Sequence, residues 1–121
     1  MSEPSRGEIW LAGLGPVRGH EQAGTRPVLI VSSDGLNHGL SGLVIVISLT
    51  TRSRPLASYV EILPPEGGLS RPSWVQCEQV RSISKERLRR RLGTISPATM
   101  SEVETALQLL LDFRPRLLAE S

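Results

Sequence analysis

Leu43-Val44-Ile45-Val46-Ile47-Ser48-Leu49 is an apolar run with one polar member, and it stops abruptly at Thr50-Thr51-Arg52-Ser53-Arg54-Pro55. Such a run reads as a strand buried on both faces. Upstream, Val28-Leu29-Ile30-Val31 is dense in β-branched residues and reads the same way. The polar residues Asp34, Gly35, Asn37, His38 and Gly39 make a loop between the two strands. Further upstream, Gly13, Gly15, Pro16, Gly19 and Gly24 mark a long turn-rich loop containing Arg18-Gly19-His20-Glu21-Gln22. A short strand around Ile9, Trp10 and Leu11 precedes it, within Glu8 to Leu14.

Downstream, Tyr59-Val60-Glu61-Ile62-Leu63 alternates as a half-exposed strand and is closed by Pro64-Pro65. Trp74 to Val80 alternates again, with one apolar and one polar face. Ser84 reads as the N-cap of a brief helical turn through Lys85, Glu86 and Arg87, and Leu92 to Ile95 as a last short strand. The tail changes period. Ser96-Pro97 is an N-cap with proline at the first helical position, and Met100, Val103, Leu107 and Leu110 follow at helical spacing. Pro115 ends that helix near Phe113. Five or six short strands and one C-terminal helix predict a mainly β fold, a small, strongly curved barrel with the helix packed on it.

The chain has 121 residues, the size of one domain, and residues 1–121 are read as such. No apolar run approaches the roughly 18 residues of a membrane span. The first residues, Met1 to Arg6, lack the pattern of a secretory signal, so a cytoplasmic protein is expected. One cysteine, Cys77, allows no internal disulfide. The net charge is +2, far short of a protein that coats DNA, yet all 14 basic residues except Lys85 are arginine. The planar guanidinium suits phosphate. Trp10, Tyr59, Trp74 and Phe113 are the whole aromatic set, so a nucleic acid bound here is held mainly by backbone contacts and hydrogen bonds rather than stacking.

Several chemistries are disfavoured by pattern. His20, His38, Cys77 and Asp34 are scattered, with no pair at metal-ligand spacing, so no metal and no cofactor is expected. There is no glycine-rich phosphate loop between a strand and a helix, and no strand-turn-helix elbow for a Ser-His-Asp hydrolase. Two polar clusters remain that can converge. One is the loop from Arg18 to Arg26, at the mouth of the first buried strand; the other is Thr50-Thr51, at the end of the second. Taken singly, Arg26-Pro27 is also what a charged strand start looks like, and Thr50-Thr51 what a strand end looks like.

The fragments in series say more. Arg6-Gly7-Glu8-Ile9-Trp10, Gly19-His20-Glu21-Gln22-Ala23-Gly24-Thr25-Arg26-Pro27-Val28-Leu29, Leu49-Thr50-Thr51 and Gln79-Val80-Arg81-Ser82-Ile83 resemble the PemK/MazF-like toxins. So do Arg87-Leu88, Leu92-Gly93 and the helix from Met100 to Leu110. The Glu-Gln-x-Gly-x-Arg-Pro stretch is the specific part. The resemblance implies an SH3-like β-barrel, a homodimer, and an endoribonuclease toxin of a type II toxin–antitoxin pair, neutralised by a cognate antitoxin. It places the family's catalytic arginine and threonine on Arg26 and Thr50, with Thr51 adjacent to the latter.

Metal-free cleavage of single-stranded RNA uses the ribose 2′-OH against the neighbouring phosphate, leaving a 2′,3′-cyclic phosphate and a 5′-OH. Arg26 suits charge stabilisation at the phosphorane and Thr50 can donate to a phosphate oxygen. Neither is a good base. Glu21 is chemically better, and its other reading is an ion pair that orients Arg26. For RNA binding, His20 offers a contact, Gln22 and Gln79 offer amides for base edges, and Thr51 and Arg81 complete the candidates. The loops 35–42 and 51–57 are placed to select the cleavage sequence. The alternative is a non-catalytic toxin of the same fold that binds and poisons DNA gyrase, which needs neither Arg26 nor Thr50. The apolar tail, Leu109, Leu110, Leu111, Phe113, Leu117 and Leu118, suits a dimer interface or an antitoxin groove equally.

Overall fold

The two apolar runs are neighbours at the centre of one antiparallel sheet. The computed structural model describes residues 3–15 and 24–113. In it β1 (Glu8–Gly13) pairs with β2 (Thr25–Ile30), which pairs with β3 (Leu43–Thr50). The other side of β3 is shared. Its C-terminal end meets β5 (Ser73–Gln76) and its N-terminal half meets β6 (Arg81–Ser84), the two being joined by a 3-10 turn at Cys77–Gln79. β4 (Tyr59–Ile62) adds to β5, and β7 (Leu88–Thr94) adds to β1.

Burial on both faces follows from the period of two. Ile9, Leu29, Ile47, Leu49 and Val75 point into one core, which α2 (Pro97–Leu111) covers with Val103 and Ala106. Trp10, Ala12, Val28, Ile30, Val44, Val46 and Ile83 point into a second core on the opposite face. The helix starts where expected: Ser96 Oγ accepts the Thr99 N–H at 3.2 Å, and proline follows the cap. No helix among the described residues is long and apolar enough to cross a membrane.

Several expectations are corrected. The sheet has seven strands, and its order β4-β5-β3-β2-β1-β7 ends on unpaired edges among the described residues, so hydrogen bonding does not close it into a barrel. The curvature is nevertheless there: β3 divides its pairing between β5 and β6, and β1 carries two register shifts against β7. β6 escapes the sequence pattern because Arg81-Ser82-Ile83-Ser84 has one apolar side chain, Ile83, to bury. β7 begins at Leu88 rather than Leu92, since Arg89, Arg90 and Arg91 are exposed on an edge strand, where charge discourages further pairing. β5 ends at Gln76 because the chain turns at Cys77. The loop after β2 holds a short helix, α1 (Asp34–Asn37), capped by Ser33. α2 stops at Leu111, where Asp112 takes the left-handed conformation (φ 53°), two residues before Phe113 would end it.

Candidate functional site

The register of β2 and β3 assembles the site. Val28 lies across from Ser48 and Ile30 across from Val46. The paired ladder ends there; two residues beyond it Arg26 and Thr50 stand on the face of the second core by the same alternation, and both line one hollow. That face is apolar up to Val28 and Val46 and becomes polar at Arg26, Ser48 and Thr50. The change of polarity makes the site: an end of the sheet where the core gives way to groups that must find polar partners.

Arg26 and Thr50 are both half-buried and line one hollow of about 350 Å³ with Thr51, Arg52, Arg54, Tyr59 and Gln76. A second hollow of about 260 Å³ shares Arg26, Thr50 and Thr51 and reaches Pro27 and Ser73. A third, of about 460 Å³, shares Pro27, Thr51 and Ser73 and continues to Arg71 and Arg90. The three share lining residues and succeed one another as a track along this end of the sheet, as far as the described residues define it. It takes in Arg52 and Arg54, Arg26, and Arg71 and Arg90, with no Asp or Glu among the described residues that line it. Such a wall suits a polyanion.

Local bonding sets the direction of the hydroxyls. Thr50 Oγ1 accepts the backbone N–H of Arg52 at 3.2 Å, so its own proton points elsewhere. Ser48 and Gln76 are 2% and 4% exposed and lie beneath the hollow. Ser48 Oγ donates to Gln76 Oε1 at 3.4 Å, and Gln76 Nε2 donates to the Tyr59 hydroxyl at 2.9 Å. Ser73 Oγ donates to the carbonyl of Arg71 at 3.0 Å and shapes the turn that presents this arginine. Cys77 follows Gln76 but is no nucleophile here: burial first, then the Glu78 charge, pushes its thiol up to about 11.

Of the residues singled out in sequence, Arg26, Thr50 and Thr51 come together. Thr50 sits on the strand, facing as Arg26 does, whereas Thr51 is exposed in the bend that follows. Arg81 is across from Val46 and so shares their face, deeper in the sheet, but does not line the track; Gln79 sits in the 3-10 turn and does not line it either. Glu21, His20 and Gln22 lie outside the described residues. The loop 51–57 supplies Arg52 and Arg54, but the loop 35–42 is at the wrong end, since it connects the C-terminus of β2 to the N-terminus of β3. Sequence reading missed Tyr59 and Gln76. A glutamine in an alternating strand was a usable signal, because a buried amide needs a partner.

A family model for the PemK-like, MazF-like toxin of type II toxin–antitoxin systems matches residues 5–111. The chain belongs to this family. MazF-like architecture is equally plain in three dimensions. MazF from Deinococcus radiodurans superposes with a TM-score of 0.81 at 28% identity, covering 93% of this chain and 100% of that one. An endoribonuclease in complex with its cognate antitoxin, from a mycobacterial species, gives 0.77 at 29% identity, over 93% and 99%. The Mycobacterium tuberculosis toxin MazF-mt6 gives 0.76 at 27%, over 89% and 99%. In this MazF-like toxin, then, the arginine-lined track is the feature whose chemistry has to be explained.

Proposed function

We propose that the toxin acts as a metal-independent, sequence-selective endoribonuclease on single-stranded RNA, and that a cognate antitoxin holds it in check. The observation that carries this reading is that Arg26 and Thr50 line one hollow whose rim is also cationic. Arg26 can hold two non-bridging phosphate oxygens and gains interaction as charge builds on the phosphorane. The Thr50 hydroxyl, with its oxygen already accepting from Arg52, is left to donate to the same phosphate. The nucleophile is the substrate's own 2′-OH, which already has the advantage of proximity. In-line attack requires a nucleotide that can rotate out of helical geometry, which favours a single strand. Glu21 remains our assignment for the base.

Purified toxin incubated with a long RNA in excess EDTA should cut it, and mapped products should carry 5′-hydroxyl and 2′,3′-cyclic phosphate ends. Cleavage that stops in EDTA would refute the metal-free reading. Intact RNA alongside gyrase–DNA breaks that accumulate only when the toxin is added would favour the poison instead.

The track also predicts where flanking nucleotides lie. Arg71 and Arg90 are exposed and line the far hollow, with no acidic residue among the described residues of its walls. Arg71→Ala should weaken RNA binding evenly across sequences and flatten the salt dependence by about one phosphate contact. A filter-binding titration over several salt concentrations measures both. The homodimer and the cytoplasmic setting belong to the same proposal. Leu109, Leu110, Leu111 and Phe113 are all exposed on the helix and just beyond it, leaving apolar surface for a second copy or the antitoxin.

A further inference from the structure

We propose that Tyr59 is the proton donor to the departing 5′-oxygen, held ready for that task by Gln76; the proposal rests on the ribonuclease reading above. Cleavage needs an acid at the leaving oxygen, because an alkoxide is a poor leaving group. Among the described residues, the hollow offers few groups able to act. Guanidinium protons are held too tightly, with pKa above about 12, and an aliphatic alcohol such as Thr50 is too weak an acid. Phenols, with an ordinary pKa near 10, keep their proton at neutral pH yet give it readily to an alkoxide. Tyr59 is the one phenol in the chain, and it lines the same hollow as Arg26 and Thr50.

Its orientation is fixed from below. The buried Gln76 amide directs its oxygen to Ser48 and its nitrogen to the Tyr59 hydroxyl. That hydroxyl therefore accepts on the side facing the sheet and must aim its own proton away from Gln76. β4 sets the distance across the site, since Tyr59 is registered against Gln76 while Thr50 is registered against Trp74, two residues earlier on the same strand. Arg26 and Tyr59 thus approach the hollow from opposite sides of β3, as groups serving the phosphate and its leaving oxygen should.

The step balances without a co-reactant. The 2′-oxygen forms a bond to phosphorus as its proton passes to the base. The bond from phosphorus to the 5′-oxygen breaks, its electron pair stays on oxygen, and that oxygen takes the phenolic proton. Water then returns a proton to the phenolate and receives the one held by the base.

The test uses an RNA oligonucleotide spanning a mapped cleavage site, in two forms: natural, and with sulfur replacing the bridging 5′-oxygen. A thiolate departs without needing a proton. Tyr59→Phe should slow cleavage of the natural RNA by on the order of 100-fold or more, the usual contribution of a positioned acid. It should cut the sulfur-bridged RNA as fast as the wild type does. Binding of a 2′-deoxy analogue should be unchanged, and the variant should remain folded with a modest fall in unfolding temperature, since the buried Gln76 amide loses its partner. Equal losses on both substrates, or wild-type rates on the natural one, overturn the proton-donor role while leaving the ribonuclease reading intact. A wild-type protein that cuts neither substrate overturns both.

Discussion

Arg26→Ala should lower the rate of RNA cleavage by about 100- to 1000-fold, the usual effect of removing one preorganised donor to an oxyanion. The loss should fall on the chemical step. Arg52, Arg54, Arg71 and Arg90 remain along the track to hold the strand, so affinity for a non-cleavable RNA should change far less than the rate. The fold should survive. Arg26 lies at the end of β2 where the second core has already given way to polar groups, and its replacement opens no apolar cavity. Arg26→Lys is the informative companion. A lysine keeps the charge but loses the planar fork, so it should recover binding and only part of the rate. Single-turnover cleavage, read together with thermal unfolding, measures both variants. A loss confined to binding would reassign Arg26 to the arginines that merely hold the strand.

The central sheet was legible because its signal is an absence of polar residues. Val28 to Val31, and Val44, Val46 and Ile47, are buried, and each run supplies residues to both cores. β6 and the arginine-rich start of β7 were not legible, because their pairing is dictated by β3 and β1 rather than by their own side chains. The site divides in the same way. Arg26 and Thr50 could be singled out as polar residues beside buried strands. That they line one hollow depends on the pairing of β2 with β3, which no local pattern encodes. Tyr59 was read as part of a half-exposed strand, and Trp74 to Val80 as having an ordinary polar face. That polar face is where Gln76 meets Tyr59 and Ser48. Alternation identifies which residues share a face; whether the face meets solvent or a site depends on strands far away in sequence.

The largest loss of stability is expected at Gly68, which lines the far hollow of the track but not the hollows of Arg26 and Thr50. It ends the 3-10 turn Glu66–Gly68, has φ +71°, and lies against β7 so closely that an added Cβ would be 1.9 Å from the Leu92 carbonyl oxygen. The contact is mutual: a Cβ on Gly93 would lie 2.5 Å from the carbonyl carbon of Gly67. Two backbones meet here with no side chain between them. This contact seats the segment that buries Leu69 in the first core and then presents Arg71 to the track. Gly68→Ala must therefore move backbone and also hold alanine in the left-handed region. We expect a loss of roughly 2–5 kcal/mol, combining backbone strain with overpacking, measured by urea denaturation. Gly42→Ala separates the two causes. Gly42 has φ +75° but nothing within 4 Å of an added Cβ, so this variant should lose only the roughly 1–2 kcal/mol of the left-handed conformation. Equal losses at the two positions would mean that conformation alone sets the cost, and that the turn can lift off β7. In that case the place of Arg71 would not depend on this contact, and Gly68→Ala protein that remains folded would bind RNA as the wild type does.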